Sequence, residues 1–238
     1  MSSGKIYAIE SMGLVDGPGI RVVVFFQGCA LRCKFCHNPD SQDMNLGEDM
    51  DSSTLMQKIT RFKPYFERSG GGVTFSGGEP LLQKDFLLDL LHECKKHNIH
   101  TCLDTSGVGV GGYEEILELT DLVLYDIKGI TNEGYMDICG LPLKETINFQ
   151  NDLKTSGTPT IVRQVVIPGV NDTDEYMKSL KQYIKQNIPT ATKVELLPYH
   201  KLGAHKYVKL GRLDPYENVP PMDTTKTEQL WEKYFRYF

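Results

Sequence analysis

The sequence predicts an α/β fold in which parallel strands alternate with helices. Six short runs of apolar and β-branched residues, with the length and composition of buried strands, recur along the chain. Segments with a helical spacing of apolar residues separate most of these runs. Strands that alternate with helices indicate βαβ units, which give a parallel sheet covered by helices. The pattern alone leaves open whether this sheet is doubly wound or curls into a barrel.

The predicted elements follow one another without a linker or a low-complexity segment. The strands are expected at residues 20–26, 73–75, 99–103, 122–127, 160–167 and 194–197. The helices are expected at residues 55–66, 87–94, 113–119, 143–154 and 176–184, with a final one near residues 231–238. We therefore expect a single domain over residues 1–238.

The composition limits the classes of function. Hydrophobic residues make up 40% of the 238 residues and charged residues 24%, which suits a globular protein with a sizeable core. The formal net charge of -5 argues against nucleic acid as a partner, because binding to phosphates depends on basic side chains. The start of the chain lacks the apolar core of a signal peptide, and no stretch approaches the roughly 20 apolar residues of a membrane span. We expect a cytoplasmic protein without a membrane partner.

Three of the six cysteines crowd into one segment directly after the first predicted strand. Cys29, Cys33 and Cys36 place three thiols close enough for one loop to wrap a metal centre. A 4Fe–4S cluster on three cysteines keeps one iron open for a substrate, whereas a structural zinc site is closed by four ligands. Zinc, with His37 as the fourth ligand, is the alternative. The remaining cysteines are scattered and expected to behave as small buried hydrophobic residues, namely Cys94, Cys102 and Cys139.

Polar residues and glycines follow the predicted strands at the points where these strands end. In both candidate architectures the carboxyl ends of the strands meet, and ligands collect there. Asp126 and Lys128 alternate along one strand, so both side chains are expected on the same face. Arg163 lies within a strand, where a charge requires either a partner or a cavity. The other residues at these strand ends are Cys29, Gly77, Gly78, Glu79, Asp104, Thr105, Tyr199 and His200.

The cysteine spacing and several longer motifs resemble one known family. Cys-x3-Cys-x2-Cys, with Phe35 just before the last cysteine, resembles the signature of the radical S-adenosylmethionine superfamily. Further motifs are similar to those of its glycyl-radical enzyme activases of the pyruvate formate-lyase type. They lie at residues 15–21, 27–29, 36–39, 76–80, 103–105, 126–128, 166–169 and 196–200, in the expected order over nearly the whole chain.

This resemblance implies a fold and an activity. The fold would be a partial (β/α)6 barrel, the radical SAM fold, with parallel strands, outer helices and one open side. The activity would be the reductive cleavage of S-adenosylmethionine at a 4Fe–4S cluster. The resulting 5′-deoxyadenosyl radical would abstract the α-hydrogen of a glycine in pyruvate formate-lyase. Since the segment 38–72 contains no cysteine, the electron is expected from a separate reduced flavodoxin or ferredoxin, and we expect a monomer.

The resemblance also implies roles for individual residues. S-adenosylmethionine would be bound by Phe35, Cys36, His37, Gly77, Gly78, Glu79, Asp104, Asp126, Ile127, Lys128, Arg163 and His200. Asp104, Thr105 and Asp126 resemble a site for a monovalent cation, and Asp16 and Arg21 would contact the protein substrate. For Arg163 a structural salt bridge is an equal alternative. The rival functions are a radical enzyme acting on another glycyl-radical enzyme or on a small molecule, and a non-catalytic zinc-binding protein.

Overall fold

Six parallel strands form the centre of one mixed sheet. The computed structural model describes residues 2–238. Its strands are β1 (Ser3–Gly13), β2 (Arg21–Phe26), β3 (Glu48–Asp51), β4 (Gly72–Gly77), β5 (His100–Thr105), β6 (Leu122–Ile127), β7 (Thr160–Val166) and β8 (Ala191–Pro198). They are ordered β3-β1-β2-β4-β5-β6-β7-β8, and every neighbouring pair from β2 to β8 is parallel. The two outer strands, β3 and β8, do not pair with each other, so the sheet is open.

Nine α-helices connect and cover the strands in the described part of the chain. They are α1 (Ser52–Thr60), α2 (Lys63–Ser69), α3 (Lys84–Lys96), α4 (Glu114–Glu118), α5 (Asn132–Cys139), α6 (Lys144–Ser156), α7 (Asp174–Asn187), α8 (Ala204–Lys209) and α9 (Thr224–Tyr234). Short 3-10 turns at Pro39–Ser41 and Pro80–Gln83 follow β2 and β4. Within residues 2–238, no helix has both the length and the apolar character needed to cross a membrane.

The six predicted parallel strands and the partial (β/α)6 barrel are confirmed. The central strands read as continuous apolar runs because helices or the interior of the barrel cover both of their faces. Val22, Val23 and Val24 of β2, for example, are all buried. The rings of Phe26 and Phe75 pack edge to face across β2 and β4, with centroids 6.1 Å apart. One large core joins these strands to the surrounding helices.

Two strands and two helices escaped the sequence prediction. β1 and β3 extend the sheet beyond β2 as an antiparallel edge, and half-exposed polar residues interrupt their apolar pattern. The short helices α5 and α8 lack a long amphipathic stripe. The predicted helix at 55–66 is two helices, α1 and α2, because Pro64 lies in the first turn of α2 and begins a new helix. The final helix, α9, begins and ends earlier than expected.

Candidate active site

A cavity of about 1040 Å³ opens at the carboxyl ends of the parallel strands. Its volume suits a small organic ligand or cofactor. Most of the residues that the sequence analysis selected line this one cavity. They are Asp16, Cys29, Cys33, Phe35, Cys36, His37, Gly77, Gly78, Asp104, Thr105, Asp126, Lys128, Arg163 and His200. The topology therefore assembles side chains that come from both ends of the sequence.

The loop after β2 carries the three clustered cysteines and folds back on itself. The side-chain amide of Gln27 donates to the carbonyl oxygens of Asp40 (3.1 Å) and Asp43 (2.8 Å), which ties the two ends of the loop together. The backbone N–H of Cys29 donates to the carbonyl of Gln42 at 3.2 Å. These bonds fix a closed loop around the cysteines. The path of the loop is therefore set by backbone acceptors that the sequence pattern did not reveal.

The three cysteine side chains of this loop line the cavity as free thiols. Burial raises the pKa of Cys29 and of Cys36, whereas the hydrogen bond between the Cys33 and Cys139 thiols lowers the pKa of Cys33. In the described part of the chain, no three histidine, cysteine or carboxylate side chains are gathered closely enough to hold a single metal ion. Thiolates are the usual ligands of iron–sulfur clusters, and this donor set fits a cluster with three protein ligands.

Lys128 connects the cysteine loop to the end of β6. Its ammonium lies 2.7 Å from the Asp126 carboxylate and 5.3 Å from the centroid of the Phe35 ring. Asp126 and Lys128 share the cavity face, as their alternation predicted. Burial by itself lowers the pKa of Lys128, but the negative charges of Asp126 and Cys33 outweigh it and raise this pKa. The lysine therefore keeps its positive charge beside the thiols.

Asp104 is an acidic group in an unfavourable environment. Burial raises the pKa of its carboxyl to about 6, and the nearby negative charge of Asp126 adds to the effect. The Ser76 hydroxyl donates to Asp104 at 2.7 Å and partly offsets it. The carboxyl groups of Asp104 and Asp126, at the ends of β5 and β6, thus share the positive charges of Arg163 and Lys128.

Arg163 forms the salt bridge that the sequence analysis left as an alternative. Its Nε lies 3.2 Å from Oε2 of Glu195 on β8, and its Nη2 donates to the carbonyl of Val15 at 2.7 Å. The guanidinium therefore anchors the loop between β1 and β2 at the rim of the cavity. It still lines the cavity and is available to a ligand on one side.

Gly77 at the end of β4 and Gly78 after it line the cavity, but Glu79 does not. A Cβ on Gly77 would clash with the backbone nitrogen of Phe26, so the close contact with β2 requires glycine. The buried Glu79 carboxylate accepts hydrogen bonds from the Thr105 hydroxyl (2.6 Å) and from the hydroxyl (2.6 Å) and N–H (2.9 Å) of Ser106. Burial raises the pKa of Glu79, and these bonds oppose the rise. Its side chain ties the loop after β4 to the end of β5 and faces away from the cavity.

Arg21, which was expected to contact a protein substrate, lies inside the protein in this structure. Arg21 is 0% exposed, and its guanidinium donates to the Thr74 hydroxyl (2.6 Å) and to the carbonyls of Pro18 (2.9 Å) and Val73 (2.5 Å). It holds the glycine-rich turn against β4 from the inside. Ile127 is likewise buried and lies outside the cavity, because it alternates with the two cavity residues on either side of it.

Sequence reasoning missed several residues of the site. Leu14 and Val15, 72% and 79% exposed, lie at the mouth of the cavity. Cys139 is buried, as expected, but its sulfur lies 3.8 Å from that of Cys33. No local signal in the sequence marks this contact, since the two cysteines are 106 positions apart.

The site agrees with what comparisons with known proteins find. Residues 15–134 match the family described as "4Fe-4S single cluster domain". The chain is 51% identical to the pyruvate formate-lyase-activating enzyme of Clostridium pasteurianum over 236 residues, which cover 99% of this chain and 98% of that protein. It is 41% identical to the pyruvate formate-lyase 1-activating enzyme of Escherichia coli (strain K12), over 92% of this chain and 89% of that one. The chain is therefore an iron–sulfur protein by family, and within that class it belongs to the pyruvate formate-lyase-activating enzymes.

Solved structures share the fold at lower identity. A domain of pyruvate-formate lyase-activating enzyme from Bacteroides vulgatus has a TM-score of 0.54 and 24% identity, over 68% of this chain and 91% of that chain. A radical SAM methyltransferase from Sphaerobacter thermophilus has a TM-score of 0.62 and 15% identity, over 96% of this chain and 74% of that chain. These likenesses support the open barrel.

Proposed function

We propose that this protein activates pyruvate formate-lyase by generating a radical on one of its glycines. One observation carries the proposal. In a chain that belongs to the activating enzymes, the three clustered cysteines line the same cavity as the polar residues at the strand ends. A ligand in that cavity would lie between the cysteine loop and the open mouth.

Cys29, Cys33 and Cys36 would hold a 4Fe–4S cluster and leave one iron without a protein ligand. The cluster, when bound, supplies the electron that cleaves S-adenosylmethionine into methionine and a 5′-deoxyadenosyl radical. The protein binds and orients the reactants and keeps water away from them. The buried Lys128 ammonium, held charged by Asp126, lies beside the thiolates and partly offsets their negative charge.

The remaining cavity residues would hold S-adenosylmethionine. The backbone of Gly77 and Gly78 borders the cavity without side chains, so polar groups of a ligand can approach it closely. Asp126 and Lys128 offer a carboxylate and an ammonium for the ribose and the carboxylate of the ligand. The ring of His200 faces the cavity together with that of His37 and suits the adenosyl part. Glu79 and Ile127 would contribute through their neighbours or backbone only.

A monovalent cation would complete the site near Asp104, Thr105 and Asp126. The raised pKa of Asp104 supports this, because a cation between two crowded carboxylates would relieve their repulsion. The Thr105 hydroxyl donates to Glu79 and accepts from the N–H of Gly107, so one lone pair of its oxygen remains for a cation. S-adenosylmethionine affinity measured in sodium, potassium and a bulky organic cation tests this part of the proposal. Equal affinity in all three would remove the cation.

The protein substrate would enter at the mouth of the cavity. Leu14 and Val15 are exposed there, and Asp16 lines the same opening. Exposed apolar residues at the rim of a polar cavity are typical of a protein contact. A glycine loop is narrow, so it can bring its α-carbon into the cavity.

The electron would come from a separate reduced flavodoxin or ferredoxin. α8 packs on the turn that ends the cysteine loop, through an ion pair of Lys206 with Asp40 at 3.2 Å. The outer side of this segment exposes Val208, Lys209 and Arg212, an apolar and basic surface that suits an acidic donor. Reduced thiols favour the cytoplasm as the site of action. We further propose a monomer whose residues 1–238 form one domain.

The decisive experiment measures both the products of the reaction and the transfer of a deuterium label. The protein is mixed without oxygen with S-adenosylmethionine, a reduced donor and pyruvate formate-lyase that carries deuterium at the target glycine. We expect methionine, a glycine-centred radical in the electron paramagnetic resonance spectrum, and 5′-deoxyadenosine with one deuterium. Direct abstraction requires the two carbons to meet in a reactive geometry, and this moves the label.

Other outcomes assign the rival functions. Radical formation only on a different glycyl-radical enzyme would change the partner and keep the chemistry. Cleavage of S-adenosylmethionine without a protein radical or label transfer would indicate a small-molecule substrate. Zinc retained in place of iron after anaerobic reconstitution would refute the radical chemistry itself.

A further inference from the structure

The carboxyl end of α5 binds the backbone of the cysteine loop. The N–H of Arg32 donates to the carbonyl of Cys139 at 2.8 Å, and the N–H of Lys34 donates to the carbonyl of Ile138 at 2.9 Å. The last carbonyls of a helix have no partner within it, so they are free to accept such bonds. Both bonds flank Cys33, which is therefore fixed against the end of α5. The position of Cys139 relative to Cys33 is therefore set by backbone hydrogen bonds between α5 and the cysteine loop.

The two sulfurs meet inside the protein. Sγ of Cys139 lies 3.8 Å from Sγ of Cys33, which is within the range for a hydrogen bond between a thiol and a sulfur. Cys139 is 0% exposed, so no water competes for its S–H group. α5 ends at Cys139, and the positive φ of the following Gly140, 75°, turns the chain away directly after it. The side chain of Cys139 therefore points toward the cysteine loop.

The chemistry of the pair follows from the contact between the two sulfurs. A cysteine that ligates iron does so as a thiolate, which has no proton to donate and accepts hydrogen bonds. In the 3.8 Å contact the S–H of Cys139 is then the donor and the sulfur of Cys33 the acceptor. Hydrogen bonds to the ligating sulfurs stabilise the more negative, reduced form of an iron–sulfur cluster.

We propose that Cys139 is a positioning residue that donates an S–H···S hydrogen bond to Cys33 and raises the reduction potential of the cluster. The proposal rests on the cluster that the proposed function places in this loop. Cys139 is not a ligand in it and leaves the open iron free. Its effect is to make the cluster easier to reduce for an external donor.

The test compares reconstituted full-length variants without the partner enzyme. Cys139→Ala removes the donor, and Cys139→Ser keeps the size and replaces the thiol by a stronger hydroxyl donor. Cys94→Ala is the matched control, since Cys94 is also a buried free cysteine but contacts Met56. Iron content is measured first, and then the midpoint potential is measured by anaerobic titration followed by electron paramagnetic resonance.

We expect all variants to retain the iron of the unmodified protein. The potential of Cys139→Ala is expected to become more negative, and those of Cys139→Ser and Cys94→Ala to remain at or above that of the unmodified protein. Should Cys139→Ala assemble poorly, Cys139→Val takes its place as the variant without a donor. A midpoint potential of Cys139→Ser as negative as that of Cys139→Val would then overturn the donor role. Loss of iron in every Cys139 variant would also overturn it and make Cys139 a ligand. The potential is independent of the glycine substrate, so failure of the activase reaction leaves this result readable.

Discussion

The imidazole ring of His37 stacks on that of His200, with ring centroids 4.0 Å apart and planes 23° from parallel. His37 belongs to the cysteine loop, and His200 follows β8 at the far edge of the parallel strands. Nε2 of His37 also lies 3.3 Å from the carbonyl oxygen of His200. Burial, followed by the neighbouring His200 ring, lowers the pKa of His37. The pair therefore closes the cavity between the first and last parallel strands, and His37 adds no charge there.

Removing one ring is expected to loosen the cavity wall. A stacked aromatic pair contributes roughly 0.5–1.5 kcal/mol, so His200→Ala is expected to weaken S-adenosylmethionine binding by up to about tenfold. His200→Phe retains a stacking ring and is expected to lose less. Both are measured by anaerobic titration of the reconstituted protein. Equal losses in the two variants would show that a polar atom of His200 matters more than the stacking.

The cysteine assignment predicts a sharp division between two groups of variants. Replacing Cys29, Cys33 or Cys36 by Ala removes a ligand and is expected to abolish the cluster, which otherwise contributes about four irons per chain. Cys94→Ala and Cys102→Ala are expected to keep full iron content, because both side chains lie in the packed core. Iron analysis and anaerobic absorbance measure this. Full iron in Cys33→Ala is the outcome that rejects the assignment.

The ion pair of Lys128 with Asp126 predicts an effect on ligand affinity. Lys128→Ala and Asp126→Ala are each expected to weaken S-adenosylmethionine binding at least tenfold while iron content stays unchanged, since neither residue is a proposed iron ligand. Each variant also leaves its partner charge unpaired, which costs stability. The double variant, which leaves neither charge, separates the two effects. Recovered stability with affinity still lost supports direct binding, whereas recovered affinity assigns the pair to structure.

The parallel strands could be predicted from the sequence because burial on both faces leaves continuous apolar runs. α5 could not. It contains Gly134, begins after the Thr131 cap, and its carboxyl end accepts hydrogen bonds from a loop that is distant in the sequence. The contact of Cys139 with Cys33 likewise depends on chain folding across 106 positions. Residue type and spacing identified the cavity lining, but whether a given side chain faced the cavity depended on hydrogen bonds between strands, as Glu79 shows.

Because Arg21 is buried, we expect its replacement to lower the stability of the protein rather than to weaken recognition of the protein substrate. Arg21→Lys keeps the charge but loses the planar fork that reaches several acceptors, so buried carbonyls lose their donors. We expect a loss of about 3 kcal/mol in the free energy of unfolding, or roughly 6–12 °C in Tm. Arg68→Lys, on the exposed side of α2, is the control and is expected to change little. Normal Tm together with weakened binding of the protein substrate would restore the recognition role.

The raised pKa of Asp104 predicts that the free energy of unfolding depends on pH. Its pKa is about 6 in the folded protein and near the ordinary 3.8 when unfolded, so the folded state binds the proton more tightly. Its contribution to stability is therefore fully present below about pH 4 and is lost as the pH rises through about 6. The loss is on the order of 2 kcal/mol. Asp104→Asn cannot ionise and avoids it.

The variant is compared with the unmodified protein by urea unfolding of the cluster-free form, without oxygen and at low salt. Between pH 4 and pH 7, the unfolding free energy of Asp104→Asn is expected to rise by on the order of 2 kcal/mol relative to the unmodified protein. Glu67→Gln, which removes an exposed carboxylate on α2, is the control and is expected to show no such trend. Because the raised pKa comes first from burial and then from Asp126, Asp126→Asn is expected to reduce the difference but not abolish it. A difference independent of pH would mean that Asp104 is ionised at little cost, and the reason to place a cation beside it would disappear.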